Sequence, residues 1–277
     1  MTHDLHWAYA SDMPNERTPI VFIHGLWLHA SAWADWIELF RSAGYEPLAP
    51  GWPGDSDSVA ATRSANNLAG KGIDDIAAHY AGIIRALPTK PILIGHSFGG
   101  LFVQRLLGEN LGIAGVAIDP AQIRGVLPLP FAQIRSGFPV LGNPLNWSRT
   151  VSLTAAQFRY GFANAVSEHE SAELFAKWTI PGPGRPLFEA ALANFNPKSP
   201  AKIATDNSAR GPLLLISGGQ DHTVPDVVTR AAFKLYAKSS AVTELKQFPN
   251  RGHSLTIDSG WREIADASLA WLKSKAL

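Results

Sequence analysis

The chain has 277 residues, of which 46% are hydrophobic and 17% are charged. This length suits one α/β domain, with or without an inserted subdomain, and the apolar content is enough for a sizeable core. The 24 basic and 23 acidic residues give a net charge of +1 without a basic cluster, which argues against nucleic-acid binding. The chain has no cysteine, so disulfide frameworks and thiol catalysis are excluded.

The sequence shows no recognisable targeting or membrane-spanning signal. Residues 1–4 show neither the basic nor the apolar region of a secretion signal, and no run of 18 apolar residues occurs. These patterns predict a cytoplasmic protein without a membrane span. They leave the oligomeric state open.

Short apolar runs recur along the chain with helical segments between them. Six such runs predict strands at 20–23, 45–49, 92–94, 115–118, 213–216 and 244–248. Helical patterns follow at 74–87, 98–108, 227–237 and 259–275. Strands that are apolar throughout need helices on both faces, so the alternation predicts a doubly wound, mostly parallel sheet.

The strand pattern disappears between residues 120 and 210. Proline and glycine are frequent there, and the periodic stretches at 154–163, 167–178 and 185–195 are helical. Ser167 and Glu170 fit a capping box at the start of the second stretch, and residues 181–184 fit a tight connector. We therefore predict a core of residues 1–119 and 211–277, into which residues 120–210 are inserted as a helical cap without strands.

The segment Gly95-His96-Ser97-Phe98-Gly99 directly follows the third predicted strand and opens a predicted helix. This is the G-x-S-x-G pattern of a nucleophile elbow, which holds a serine on a strained turn. Glycine is needed on either side because the backbone leaves no room for a side chain. We predict that Ser97 is a nucleophile at a helix N-terminus, where free N–H groups favour a developing oxyanion.

Two later motifs carry a resemblance to a known family. Asp221 lies in a Gly-x-x-Asp-x-x-Val-Pro stretch after the fifth predicted strand, and His253 follows Gly252 after the sixth. With Ser97 first, the chain resembles the α/β-hydrolase superfamily from about residue 19 to residue 277. The resemblance implies a triad of Ser97, Asp221 and His253. Asp119, at the end of the fourth predicted strand, remains an alternative to Asp221 as the acid of the triad, because some members of the superfamily carry the acid at that position.

The segment His24-Gly25-Leu26-Trp27, after the first predicted strand, is similar to the oxyanion loop of the same family. The resemblance implies that the backbone N–H groups of Leu26 and Phe98 bind the oxyanion. Donors held in place stabilise charge that appears only in the transition state, and the loss of one costs about 3 to 4 kcal/mol. Acyl chemistry at a carbonyl carbon is the expected reaction.

The activity implied by the resemblance is hydrolysis of carboxylic esters, or of lactones, through an acyl-enzyme intermediate. The substrate is expected to be a small or medium-sized, largely apolar ester, and no cofactor is required. An aminopeptidase or amidase and a cofactor-free perhydrolase remain alternatives on the same triad, and a ligand-binding receptor is the non-enzyme alternative. No histidine spacing typical of a metal site occurs, so no metal is expected.

Aromatic and apolar side chains are the candidates for a substrate pocket. The predicted substrate-binding residues are Trp27, His29, Phe158, Phe162 and Trp178. Further pocket candidates come from the predicted cap and comprise Leu127, Leu129, Phe131, Phe138 and Trp147. Ordinary packing is the alternative interpretation for each of them. An exposed apolar patch on the cap would instead indicate a lipase that works at membrane interfaces.

Overall fold

The computed structural model describes residues 17–65 and 67–277, so the first sixteen residues of the predicted core lie outside it. The strands are β1 (Pro19–Ile23), β2 (Glu46–Leu48), β3 (Ile92–His96), β4 (Ala114–Ile118), β5 (Thr150–Val151), β6 (Gly182–Pro183), β7 (Leu213–Gly218) and β8 (Thr243–Phe248). The α-helices are α1 (Ala34–Ser42), α2 (Val59–Ala65), α3 (Ile73–Arg85), α4 (Phe98–Gly108), α5 (Phe131–Leu141), α6 (Ala155–Gly161), α7 (Glu168–Trp178), α8 (Arg185–Ala191), α9 (Asp226–Leu235) and α10 (Trp261–Ser274).

Six strands form one parallel sheet in the order β2–β1–β3–β4–β7–β8. In this register Ile20 of β1 lies beside Ile92 of β3, which lies beside Ala114 of β4. The strands β1, β3, β4 and β7 are buried along their whole length, which explains their continuous apolar sequences. Since all six run in the same direction, their carboxyl ends lie at one edge of the sheet.

Alternate side chains of the strands pack into two apolar layers. Val21 and Ile23 of β1 pack with α3, α4 and α9, whereas Ile20 and Phe22 pack with α1 and α10. The ring of Phe22 also stacks on Trp33 at 5.0 Å between centroids. Burial of each such side chain contributes on the order of 1.5 to 3 kcal/mol. The predicted doubly wound sheet, with helices on both faces, is confirmed.

Residues 119–212, all of which the structure describes, connect β4 to β7 and add no strand to the main sheet. We call them the inserted segment. They hold α5 to α8 and a short antiparallel pair in which β5 lies against β6. The prediction of an insertion without strands is therefore wrong. Residues 181–184 connect α7 to α8, as predicted, and they contain β6. Strands of two residues are too short to show an alternating pattern. The boundaries of a cap domain stay a prediction.

Two helices of the inserted segment begin at polar caps. At α6, Thr154 and Gln157 form a complete capping box that the sequence analysis did not identify. At α7, the Ser167 hydroxyl accepts the Glu170 N–H at 3.1 Å, as predicted. The Glu170 carboxylate instead accepts the N–H of Ser259 at 2.6 Å, so only half of that predicted box forms. This bond ties the inserted segment to the loop before α10.

No helix within residues 17–65 and 67–277 combines the length and the apolar character that are needed to cross a bilayer.

Candidate active site

Ser97 lies between β3 and α4 with a φ of +57° and a ψ of −120°. A residue other than glycine pays about 1 to 3 kcal/mol for such a backbone. Its flanking glycines have no room for a Cβ. At Gly95 the Cβ would lie 2.3 Å from the carbonyl oxygen of Gly99, and at Gly99 it would lie 1.9 Å from that of Ile23. The expected strained turn with two obligatory glycines is therefore present.

His253 and Asp221 form a buried pair. Nδ1 of His253 donates to Oδ2 of Asp221 at 2.5 Å, and both side chains are fully excluded from solvent. The other oxygen, Oδ1 of Asp221, accepts the N–H groups of Thr223 and Val224 at 2.6 and 2.8 Å. With its proton on Nδ1, the imidazole keeps Nε2 as its basic nitrogen. Within residues 17–65 and 67–277, that Nε2 has no hydrogen-bond partner.

The imidazole of His253 lies between two other rings. Its centroid is 4.5 Å from that of His96, the residue directly before Ser97, and 4.6 Å from that of Phe162 in the inserted segment. The loop after β8 therefore meets the end of β3 and the inserted segment. In this way the fold gathers Ser97, Asp221 and His253, which are far apart in the sequence, at the edge of the sheet where β3, β7 and β8 end.

Asp119, the alternative acid, is buried beside Asp221. Its Oδ1 accepts the Gly218 N–H at 2.7 Å, while its Oδ2 has no partner among the described atoms that could donate to it. Burial, followed by the nearby charge of Asp221, raises the pKa of Asp119 well above its usual value. A protonated Asp119 can donate to Asp221, and Asp221 is the residue that bonds His253.

The predicted oxyanion donors adjoin Ser97. A Cβ on Gly25 would lie 2.8 Å from the Ser97 Cβ, so the 24–27 loop lies directly against the elbow. The Leu26 N–H has no backbone acceptor in the part of the chain that the structure describes. Phe98 is the first residue of α4, so its N–H has no acceptor inside that helix. Both N–H groups are available to an anionic ligand, and their role stays a prediction.

Trp27 connects the 24–27 loop to the inserted segment. Its Nε1 donates to the carbonyl of Val151 at 3.0 Å, and its carbonyl accepts the N–H of Ile180 at 2.9 Å. Its ring meets Phe162 edge-on, with the centroids 6.0 Å apart. Trp27 and Phe162 thus form an apolar wall that continues to His253.

His29, another predicted substrate-binding residue, is fully occupied by the protein. Its Nε2 donates to the carbonyl of Ser56 at 2.9 Å, and its Nδ1 accepts from the N–H of Ser31 at 3.1 Å. Neither ring nitrogen is left for a ligand. The side chain caps the short 3₁₀-helix that begins at Ala30.

The other pocket candidates differ in burial and in the residues that they contact. Phe158 is fully buried and stacks on Phe162 at 5.1 Å. Trp178 lines a cavity of about 610 Å³ whose lining includes none of Ser97, Asp221 and His253. Five candidates from the predicted cap have exposed side chains, namely Leu127, Leu129, Phe131, Phe138 and Trp147. Their assignment to a pocket stays a prediction.

His96 forms a cluster with Asp119 and His253 that the sequence did not predict. Possible metal-ligand atoms of these buried residues lie within 4.8 Å of one another. The three come from separate strand ends, so no spacing along the chain indicates the cluster. Burial and the neighbouring His253 lower the pKa of His96 well below its usual value. Because burial also favours a protonated Asp119, which is a poor ligand, we assign no metal to this cluster.

Most of the chain matches a known protein family. A family model described as "Alpha/beta hydrolase family" matches residues 20–267. No curated protein gives a significant match.

Solved structures share the fold at low identity. A methylesterase from Arabidopsis is 17% identical with a TM-score of 0.64, and the match covers 92% of this chain and 99% of that one. Polyneuridine aldehyde esterase is 21% identical with a TM-score of 0.63, over 92% and 98% of the two chains. A monoacylglycerol lipase from Paleococcus ferrophilus is 24% identical with a TM-score of 0.63, over 94% and 95%. With the family model matching most of its length, the chain belongs to the alpha/beta hydrolase family.

Proposed function

We propose that the protein hydrolyses carboxylic esters of small to medium size, including cyclic esters (lactones), through an acyl-enzyme intermediate. The observation that carries the proposal is the buried pair of His253 and Asp221, joined at 2.5 Å at the edge of the sheet that holds the Ser97 elbow. A serine hydroxyl needs a neutral imidazole to remove its proton. That imidazole in turn needs a carboxylate to hold its tautomer and to stabilise its cation.

The proposed reaction has two halves. Ser97 Oγ attacks the ester carbonyl while His253 Nε2 takes its proton, and the N–H groups of Leu26 and Phe98 bind the oxyanion. His253 then gives the proton to the leaving alcohol, which leaves an acyl group on Ser97. In the second half His253 takes a proton from water, the hydroxide attacks the acyl carbon, and His253 returns the proton to Ser97. Asp221 orients His253 throughout, and no cofactor takes part.

The surroundings of His253 favour an apolar substrate. The rings of Phe162 and Trp27 are buried beside it. Each methylene group of a substrate that such a surface removes from water adds about 0.8 kcal/mol to binding.

An aminopeptidase would need a free carboxylate to hold the α-amino group of its substrate. Among the glutamates of the inserted segment, Glu189 already accepts the N–H of Ile73 and pairs with Arg185. Glu170 accepts the N–H of Ser259. Glu168 and Glu173 are exposed and lie beside Arg159 and His169. No glutamate of the inserted segment is thus buried with a free carboxylate, which supports esters over α-amino amides.

The test is a panel of p-nitrophenyl esters of increasing acyl length, assayed beside lactones and aminoacyl amides. We expect ester hydrolysis that Ser97→Ala reduces by at least about a thousandfold, while Ser42→Ala, an exposed serine of α1, behaves as wild type. An organophosphonate probe should label Ser97, as read by mass spectrometry of the tryptic peptides. Labelling of a different serine, or full activity of Ser97→Ala, would refute the assignment. Faster turnover of amides than of esters would favour the aminopeptidase or amidase alternative.

A further inference from the structure

Exposed apolar side chains are concentrated on the inserted segment. Among the residues that the structure describes, eleven large apolar side chains are exposed, and nine of them lie between residues 127 and 195. We call these nine the apolar face: Leu127, Leu129, Phe131, Ile134, Phe138, Leu145, Trp147, Leu192 and Phe195. Phe195 is 85% exposed, Leu127 78% and Phe131 76%. Exposure of this extent on neighbouring residues is typical of a binding surface.

The helix α5 presents the centre of this face. Phe131, Ile134 and Phe138 are spaced three and four residues apart, so they share one side of the helix. The opposite side is firmly seated in the protein. Val140 is fully buried, and the Ser136 hydroxyl shares a 2.7 Å hydrogen bond with that of Thr223 in the loop that carries Asp221. The exposure of α5 is therefore a property of a well-packed helix.

Hydrogen bonds bring the rest of the apolar face beside α5. The side chain of Asn194 accepts the Gly125 N–H and donates to the carbonyl of Val126, both at 2.7 Å. These bonds place Leu192 and Phe195 near the segment that begins at Leu127.

On the other side of α5, the side chain of Asn146 donates to the carbonyl of Val140 at 3.0 Å. This bond holds the neighbouring residues Leu145 and Trp147 against the C-terminal end of the helix. These bonds place the residues of the apolar face around α5.

In the part of the inserted segment that holds α5 and α6, all charged residues are basic. Residues 120–167 contain four arginines and no aspartate or glutamate. Arg135, on α5 itself, and Arg149 are exposed, and neither pairs with a carboxylate of the described residues. The guanidinium group of Arg135 lies 3.9 Å above the ring of Tyr160, which holds it at the edge of the apolar face. The other two differ: Arg124 is half-buried, and Arg159 pairs with Glu168.

We propose that the apolar face docks the protein on an anionic lipid surface. Apolar side chains on one side of a helix enter the boundary between headgroups and acyl chains, and arginines beside them bind anionic headgroups. A second copy of the chain fits less well, because a two-fold contact through this face would bring the same unpaired arginines together. Docking does not depend on the proposed function.

The test measures flotation of the Ser97→Ala protein with lipid vesicles, so that hydrolysis plays no part in the result. Vesicles of equal parts phosphatidylcholine and phosphatidylglycerol should bind it at least about tenfold more tightly than vesicles of phosphatidylcholine alone. Adding Phe131→Gln and Phe138→Gln should weaken binding to the mixed vesicles by at least about tenfold. The matched control adds Val227→Gln and Val242→Gln, which alter the two exposed apolar side chains outside the face, and should bind as the parent.

A second pair of variants tests the charge. Arg135→Gln with Arg149→Gln should remove most of the preference for the mixed vesicles. Lys234→Gln with Lys273→Gln, which removes the same charge from α9 and α10, should leave it intact. The eight side chains substituted in the Ser97→Ala parent are all exposed, so circular dichroism should show the same fold as the parent.

Three results would overturn the proposal. The first is no binding to the mixed vesicles, and the second is equal binding to both kinds of vesicle. The third is a control pair of substitutions that weakens binding as much as the pair to which it is matched. A dimer in sedimentation velocity that Phe131→Gln and Phe138→Gln dissociate, in a protein that does not float with vesicles, would assign the face to a second copy instead.

Discussion

Asp119 and Asp221 meet as a buried carboxyl pair at the ends of β4 and β7, and Asp221 is the member that bonds His253. Burial, and after it the repulsion between two carboxylates so close together, raises the pKa of Asp119 well above its usual value. With its proton, Asp119 can donate a hydrogen bond to Asp221. The two aspartates therefore have different partners: Asp221 accepts from His253, whereas Asp119 accepts from the Gly218 N–H.

The different partners of the two aspartates predict unequal effects of two isosteric substitutions. Asp221→Asn should lower kcat for ester hydrolysis by about 10⁴-fold, because the amide no longer holds the productive tautomer of His253. Asp119→Asn should stay within about tenfold of wild type, since its amide keeps a donor for Asp221 and an acceptor for the Gly218 N–H. Steady-state kinetics of the two variants on one ester decide this. The opposite ranking would move the acid to Asp119.

The raised pKa of Asp119 predicts how stability depends on pH. Above about pH 4 the unfolded chain has lost the Asp119 proton while the folded chain keeps it, so folding becomes less favourable as the pH rises. Asp119→Asn removes this dependence. The variant should therefore gain stability relative to wild type from pH 4 towards neutrality, by at most about 1.4 kcal/mol per pH unit.

Urea unfolding of wild type and Asp119→Asn at several pH values measures this difference. Parallel stability curves for the two proteins would mean that Asp119 is ionised in the folded state.

The close contact between Gly25 and Ser97 predicts a loss of activity in Gly25→Ala. The new Cβ would lie 2.8 Å from the Ser97 Cβ and 3.1 Å from the carbonyl oxygen of His96, so the 24–27 loop must move away from the elbow. Displacement of the Leu26 N–H should cost about 10²- to 10³-fold in kcat, the effect of losing one oxyanion donor.

Gly82→Ala is the control, because Gly82 lies inside α3 with nothing near its Cβ position. This variant should keep full activity and gain up to about 1 kcal/mol of stability. Wild-type kcat in Gly25→Ala would contradict the assignment of Leu26.

Phe158 and Phe162 form a matched pair for testing the apolar wall. Both rings are buried and stacked on each other, and the ring of Phe162 also contacts the ring of His253 edge-on. Phe158→Leu and Phe162→Leu should lower stability by similar amounts, about 1 to 2 kcal/mol, because each leaves a small cavity. Only Phe162→Leu should also change kcat and the preference for acyl length. Equal kinetic effects in both variants would show that these rings act through the fold alone.

Local features account for what the sequence predicted correctly. Four apolar runs predicted strands that are buried in the sheet, and the helix 98–108 has the predicted bounds. The need for glycine at positions 95 and 99 was also evident, because the backbone of a nucleophile elbow leaves no room for a Cβ whatever surrounds it.

The chain by itself determined the six strands of the sheet, the helices α3, α4, α9 and α10 beside them, and the residue types at the strand ends, because these depend on apolar periodicity and on backbone geometry over a few residues. The helices α1, α2 and α5 were not predicted. Tertiary structure alone decided that Asp119 lies against Asp221, since these residues end different strands that become neighbours only in the sheet. It also decided that Phe131 and Phe138 are exposed while Phe162 reaches His253. A helical pattern shows which side chains share a side of the helix, but packing against the rest of the protein determines which side is buried.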